Sequence, residues 1–145
     1  GGPPIWMAGS VRPAFERAAR HFDGWFANEA SLARWSEQWG EVRAIAQEAG
    51  RDLTSFVAAI YVTLAVDADA GRAEQRLDAF LENYYGQPAA VMRRRQACYA
   101  GPAGGAAAFL KGFADAGANH MIVRFTGDPD RNLDTFTRLR SDLGW

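Results

Sequence analysis

The sequence predicts an α/β fold in which four consecutive βα units share a single domain, residues 1–145. Short apolar runs alternate with longer segments whose apolar residues recur every three or four positions, the two periods of buried strand and amphipathic helix. Gly and Pro punctuate the junctions, and no linker, short internal repeat or low-complexity tract divides the chain. Alternating strands and helices demand a parallel sheet with right-handed crossovers, built either as an open doubly wound sheet or as part of a (β/α)8 barrel. A complete barrel takes eight such units and about 250 residues.

The first predicted strand is Ile5–Ala8, apolar throughout, as a strand buried on both faces should be. Pro13 sets φ for a first helical turn, and Ala14, Phe15, Ala18, Ala19 and Phe22 then share one helical face. Asp23-Gly24 ends that helix and Trp25-Phe26-Ala27 forms a short second strand. Ser31 is the expected N-cap of a helix whose stripe runs Leu32, Trp35, Trp39, Val42, Ala46, Ala49 until Gly50 stops it. Phe56–Val66 has the β-branched and aromatic enrichment of a buried third strand.

A helix from about Asp69 then carries Ala73, Leu77, Phe80, Leu81 and Tyr84 to Gly86, and a short one follows Pro88. Its Arg93-Arg94-Arg95 run points around the helix and reads as a solvated face. After the Gly101-Pro102 break an alanine-rich helix with Leu110 and Phe113 runs to Gly117. His120–Phe125 is the fourth strand, and a last helix sets Leu133, Phe136, Leu139 and Leu143 on one side.

A formal charge of −1, from 16 basic and 17 acidic residues, provides no broad field for nucleic acid or an anionic membrane. No stretch approaches the roughly 20 apolar residues of a membrane span. The one cysteine, Cys98, has no disulfide or metal-site partner; this favours a reducing, cytoplasmic setting and a structural thiol. His21 and His120 are read as structural, and no metal cluster, nucleophile–base pair or paired carboxylates are evident. The chain starts without an initiator Met, which suggests processing or a piece of something longer.

Two places point to ligand chemistry. Ala8-Gly9-Ser10 brings small residues and a hydroxyl to a strand's C-terminal end, before a helix whose positive end faces the turn, an arrangement suited to a phosphate. A plain tight turn with Ser10 as N-cap is the alternative. Arg124, inside an otherwise apolar strand, is costly to bury unpaired. It would hold an anionic or carbonyl group of a ligand, or a neighbouring Asp or Glu.

"PPIWMAGSVRPAFERAARHFDGWF" resembles the signature of the luciferase-like monooxygenase family, flavin- or deazaflavin-dependent (β/α)8 oxidoreductases. Pro4-Ile5-Trp6 with Ala8-Gly9-Ser10 is similar to that family's fifth strand, and Asp23-Gly24-Trp25 to its turn into strand six. Glu48-Ala49-Gly50-Arg51-Asp52 resembles the approach to strand seven, and Gly101-Pro102 through Asn119-His120 to Val123-Arg124-Phe125 the approach to strand eight. Ala103-Gly104-Gly105-Ala106 departs from the acidic and bulky residues usual there and should soften a helix start.

The resemblance implies strands five to eight of a barrel, inactive without an N-terminal half, with FMN or coenzyme F420 as cofactor and a small organic substrate. It implies that Ala8, Gly9, Ser10, Gly24 and Trp25 contact the cofactor, the last two by their backbone, and that Arg124 contacts substrate. The absence of a self-contained catalytic set fits a protein whose cofactor carries the hard chemistry. The competing expectation is a non-catalytic half-barrel that self-associates through its sheet edges and binds at most a phosphorylated ligand. An unrelated open-sheet nucleotide-binding domain ranks last, because no G-x-G-x-x-G follows the first strand.

Overall fold

The computed structural model describes residues 2–145, the Asp142 side chain excepted, so Gly1 lies outside the described residues. In order along the chain come β1 (Trp6–Ala8), α1 (Arg12–His21), β2 (Gly24–Ala27), α2 (Leu32–Glu48), β3 (Val57–Val66) and α3 (Ala70–Tyr85). Then follow α4 (Ala89–Met92), β4 (Ala97–Gly101), α5 (Ala103–Asp115), β5 (His120–Phe125) and α6 (Pro129–Leu143). The expected strands are present within a residue of their predicted ends. The count of four βα units is corrected by β4: Ala97–Gly101 is a fifth strand where the sequence predicts only a break. Its Ala-Cys-Tyr-Ala-Gly run has no β-branched residue and none of the usual strand signals.

Every pairing is parallel. β1 pairs β2 (Ala8 opposite Phe26), and β2 pairs β3 (Phe26 opposite Ala59). β4 pairs with Val62–Val66 of β3, and β5 with Ala59–Leu64. Because β5 overlaps both of the other contacts, it must occupy one edge of β3 while β2 and β4 share the other end to end. The path β1-β2-β3-β5 therefore runs in chain order, with β4 lengthening the sheet beside the upper half of β3.

The two faces of the sheet are covered differently. Trp25, Ala58, Ile60, Val62 and Leu64 face Phe15, Ala18, Trp35, Trp39, Val42, Leu110 and Phe113 of α1, α2 and α5 in the main core. On the other face Ala65 packs with Ala73, Leu77 and Leu81 of α3 and with Ala89 and Met92, flanked by Cys98 and Ala100. The upper half of β3 is thus buried on both sides, which accounts for its apolar sequence.

The helix ends follow local chemistry. Ser31 caps α2 by accepting from the Arg34 N–H, and Asp69 and Asp128 do the same for α3 and α6. Gly86 closes α3 in the left-handed conformation, φ +61°. Arg51 donates to the carbonyls of Ala18, Ala19 and Phe22, sealing the end of α1, and lies over the Phe56 ring.

Candidate functional site

The C-terminal ends of β1, β2, β3 and β5 lead into Gly9-Ser10, Asn28-Glu29, Asp67 and Thr126, the end of a parallel sheet where ligands bind in such folds. Gly9 has φ +152°, a conformation L side chains rarely adopt. Its N–H donates to the Phe26 carbonyl at 3.2 Å and its own carbonyl accepts the Trp25 indole N–H at 2.8 Å. The turn is thereby fastened to β2. Ser10 is exposed and does not cap α1: the N-cap is Val11, with no side-chain hydrogen bond. The expected turn is present, with its hydroxyl and the helix end open to solvent.

Gly24 and Trp25 sit elsewhere. Both are in the first half of β2, away from its C-terminal end at Ala27. A Cβ on Gly24 would lie 2.8 Å from Trp6 Cδ1 and from the Val57 carbonyl, so the glycine makes room for the Trp6 ring crossing it. Trp25 is wholly buried against Phe15, Trp35 and Trp39. Asp23 exchanges backbone hydrogen bonds with Ile5 and Val57 and accepts the Ile5 N–H on its carboxylate. Asp23-Gly24-Trp25 thus begins the strand, as expected, and of these residues only the Trp25 indole reaches the Gly9 turn.

Arg124 is the fifth residue of β5, near its C-terminal end, opposite Thr63. Its guanidinium carbon lies 4.3 Å from the Tyr84 ring centre, 5.0 Å from Tyr61 and 5.5 Å from Phe80. Nη1 donates to the Tyr85 hydroxyl at 3.3 Å, and that hydroxyl donates to Gln96 Oε1 at 3.1 Å. Among the described residues no carboxylate lies within ion-pair distance of Arg124. Burial pushes the Tyr61 hydroxyl above its ordinary pKa, with Arg124 opposing that rise. The cage of Tyr61, Phe80, Tyr84, Tyr85 and Gln96 escapes a reading of the sequence. Its one trace is the aromatic pair Tyr84-Tyr85 at the end of a helix otherwise read as core.

Several charged residues elsewhere are committed to structure. Asp67, 4% exposed at the end of β3, accepts from Arg72, Arg76 and the Asp69 N–H, and Arg76 also donates to Thr126 and the Val66 carbonyl. Those donors, Arg72 foremost, hold its carboxyl well below the usual range. Glu29, buried behind β2, accepts from Gln38. Arg93 pairs with Glu74 and Asp78, while Arg94 and Arg95 are exposed. Burial pushes the half-exposed Cys98 thiol up to about 11. His120 begins β5 with its ring against Trp6, at the opposite end from Arg124, and His21 ends α1 exposed. Among the described residues no three His, Cys, Asp or Glu gather as a metal site, and no helix is long and apolar enough to cross a membrane.

Comparison with known proteins agrees with this architecture. The sequence profile of one family, described as luciferase-like monooxygenase, matches residues 1–143. A search of curated proteins finds no match. Among solved structures, an F420-dependent secondary alcohol dehydrogenase in complex with an F420–acetone adduct superposes with a TM-score of 0.80 at 17% identity, covering 99% of this chain and 49% of that one. The coenzyme F420-dependent tetrahydromethanopterin reductase of Methanopyrus kandleri gives 0.72 at 15% identity, covering 91% and 48%. A riboflavin lyase with modified FMN and its substrate riboflavin gives 0.72 at 14%, covering 97% and 43%. The chain thus spans about half the length of these relatives.

Proposed function

The chain belongs to the luciferase-like monooxygenase family, and from that premise we propose that it is the C-terminal half of a flavin- or F420-dependent oxidoreductase, contributing strands five to eight of a (β/α)8 barrel. Three features support the reading: the chain-order path β1-β2-β3-β5, helices α1, α2 and α5 on one face, and relatives about twice as long. β4 with α3 and α4 is then an insertion between the seventh and eighth strands.

The observation that carries a cofactor role is the Gly9-Ser10 turn. A phosphate fits the donors left open at this turn, the Ser10 hydroxyl and the end of α1 that no side chain caps, while the Gly9 N–H is engaged in fastening the turn to Phe26. We assign the phosphate of FMN or F420 to this turn. Trp25 supports it from behind, through the indole hydrogen bond to Gly9, and Gly24 makes room for the Trp6 ring. The cofactor, once bound, supplies the hydride or oxygen chemistry. The chain's own task is to anchor it at one end and to present Arg124 to the substrate.

The test is reconstitution. Mixed with an N-terminal partner of four βα units, the chain should form a one-to-one complex that retains FMN or F420 through gel filtration, read by visible absorbance. Ser10→Ala should weaken retention roughly tenfold, the scale of one hydrogen bond to a charged group. An assembled barrel that binds neither cofactor would overturn the reading. A second reading, a self-associating half-barrel, is favoured by one observation: among the described residues β1 pairs only with β2, and β5 only with β3.

A further inference from the structure

Arg72 and Arg76, beside the end of β3, are neutralised by the buried carboxylate of Asp67. Arg124 is held in a different way. Its planar group lies among three aromatic rings, at 4.3, 5.0 and 5.5 Å, contacts that orient a cation without neutralising it. Its one hydrogen bond, to Tyr85, leads on to Gln96, which is wholly buried. Arg can only donate, so the Tyr85 oxygen accepts from it and passes its own proton to Gln96 Oε1, which fixes the direction of the chain. Nε–H and the Nη2 group have no acceptor among the described residues. Those two form the side-on edge of the guanidinium, parallel donors that match two oxygens of one oxyanion.

Register separates this edge from the Gly9-Ser10 turn. Ala8, Phe26, Ala59 and His120 stand at one level of the sheet, so Arg124, four residues beyond His120, is three beyond the level of Gly9. At about 3.3 Å per residue and about 4.8 Å per strand, that is about 10 Å along and about 14 Å across, roughly 17 Å in all. One phosphate cannot bridge both places.

We propose that Arg124 is a preoriented receptor for an oxyanion of the substrate, a carboxylate or a phosphate bound side-on through Nε and Nη2, with Tyr85 and Gln96 as positioning residues. The substrate class is then a small organic anion. This rests on the reading of the chain as the substrate-facing half of an oxidoreductase, and its test does not need the cofactor.

In the full chain, the Arg124 Nε–H resonance is followed by NMR during titration with sodium benzoate or with inorganic phosphate, each at constant ionic strength. A saturable shift of that resonance and of the Tyr84 and Tyr85 rings is expected with at least one probe. Benzoate alone assigns a carboxylate substrate, and phosphate alone a phosphorylated one. Arg124→Lys, which keeps the charge and loses the paired donors, should weaken binding at least tenfold. Tyr85→Phe, which keeps the ring, should weaken it several-fold while leaving the fold's other resonances in place. No saturable shift with either probe overturns the proposal, as does undiminished binding in the Lys variant. Ser10→Ala should leave these titrations unchanged. Loss of FMN or F420 binding with oxyanion binding intact would fault the cofactor reading alone.

Discussion

Asp67 shows how one carboxylate can hold the business end of a sheet together. It directly follows β3, is almost fully buried, and gathers Arg72 at 2.8 Å, Arg76 at 3.3 Å and the Asp69 N–H at 3.0 Å; Arg76 then reaches Thr126 beyond β5. The strand that carries Arg124 is thus tied to the strand beside it through Arg76. Because these donors lower the folded-state pKa of Asp67, its contribution to stability is complete above the ordinary carboxylate value of about 4 and fades as pH falls through the lower folded value. Asp67→Asn should therefore lower Tm at pH 7, with the gap to the parent chain narrowing below about pH 4. Circular-dichroism melts between pH 2 and pH 7 check this, and a gap independent of pH would show that the charge is not what matters. Gly9 makes a different residue-scale point. Its positive φ and the collision an added Cβ would make with Ala14 restrict the position to glycine before any ligand is considered.

Elements were legible where periodicity and composition agreed. β3 and β5 could be read almost to the residue because each is a run of β-branched and aromatic side chains, and α2 because Trp35, Trp39 and Val42 repeat at helical spacing. β4 was not legible, since its strand character comes from the partner Val62–Val66 and not from its own small residues. The Gly9-Ser10 turn could be placed from sequence, and so could Gly24 at the start of β2, because Asp23-Gly24 ends the preceding helix. The aromatic cage required three separate elements, β3, α3 and β5, to meet. One more device between elements is visible only in the structure. Asn119, just before β5, accepts the Ala58 N–H on Oδ1 at 2.9 Å and donates Nδ2 to the Phe56 carbonyl at 2.8 Å, while its own N–H reaches the Ala58 carbonyl. Its side chain acts as one more rung of the ladder and sets where β5 meets β3. Asn119→Ala should cost about 1–3 kcal/mol, the price of leaving such backbone groups without their partner. Urea denaturation measures it, and a loss under about 0.5 kcal/mol would show that water replaces the bridge.

At the scale of the whole molecule, the fold is complete around β3 and open beside β5. Most of β3 is buried, whereas every residue of β5 keeps some exposure and its far edge pairs with nothing among the described residues. A cavity of about 610 Å³ opens between β5, α5 and α6, lined by Leu110, Met121, Val123, Phe136, Leu139 and Leu143. A second, of about 430 Å³, shares Met121, Val123 and Phe136 and reaches Leu133, which is 70% exposed. Apolar surface of this kind next to an unpaired strand edge invites another strand and helix to cover it. In the proposed barrel that cover is the N-terminal half, whose first strand would pair with β5. Alone, the chain should therefore associate, sedimenting above its 15.9 kDa monomer mass in a concentration-dependent way. Adding the N-terminal half should convert it to a one-to-one complex. Leu133→Asp removes an apolar contact worth about 1.5–3 kcal/mol from that face, which corresponds to roughly ten- to hundredfold weaker association. Since Leu133 is exposed, circular dichroism should show the fold unchanged. If the parent chain remains a monomer at high concentration and Leu133→Asp binds the N-terminal half as well as the parent does, the α6 face is not where the barrel closes, and the β1 edge becomes the place to look.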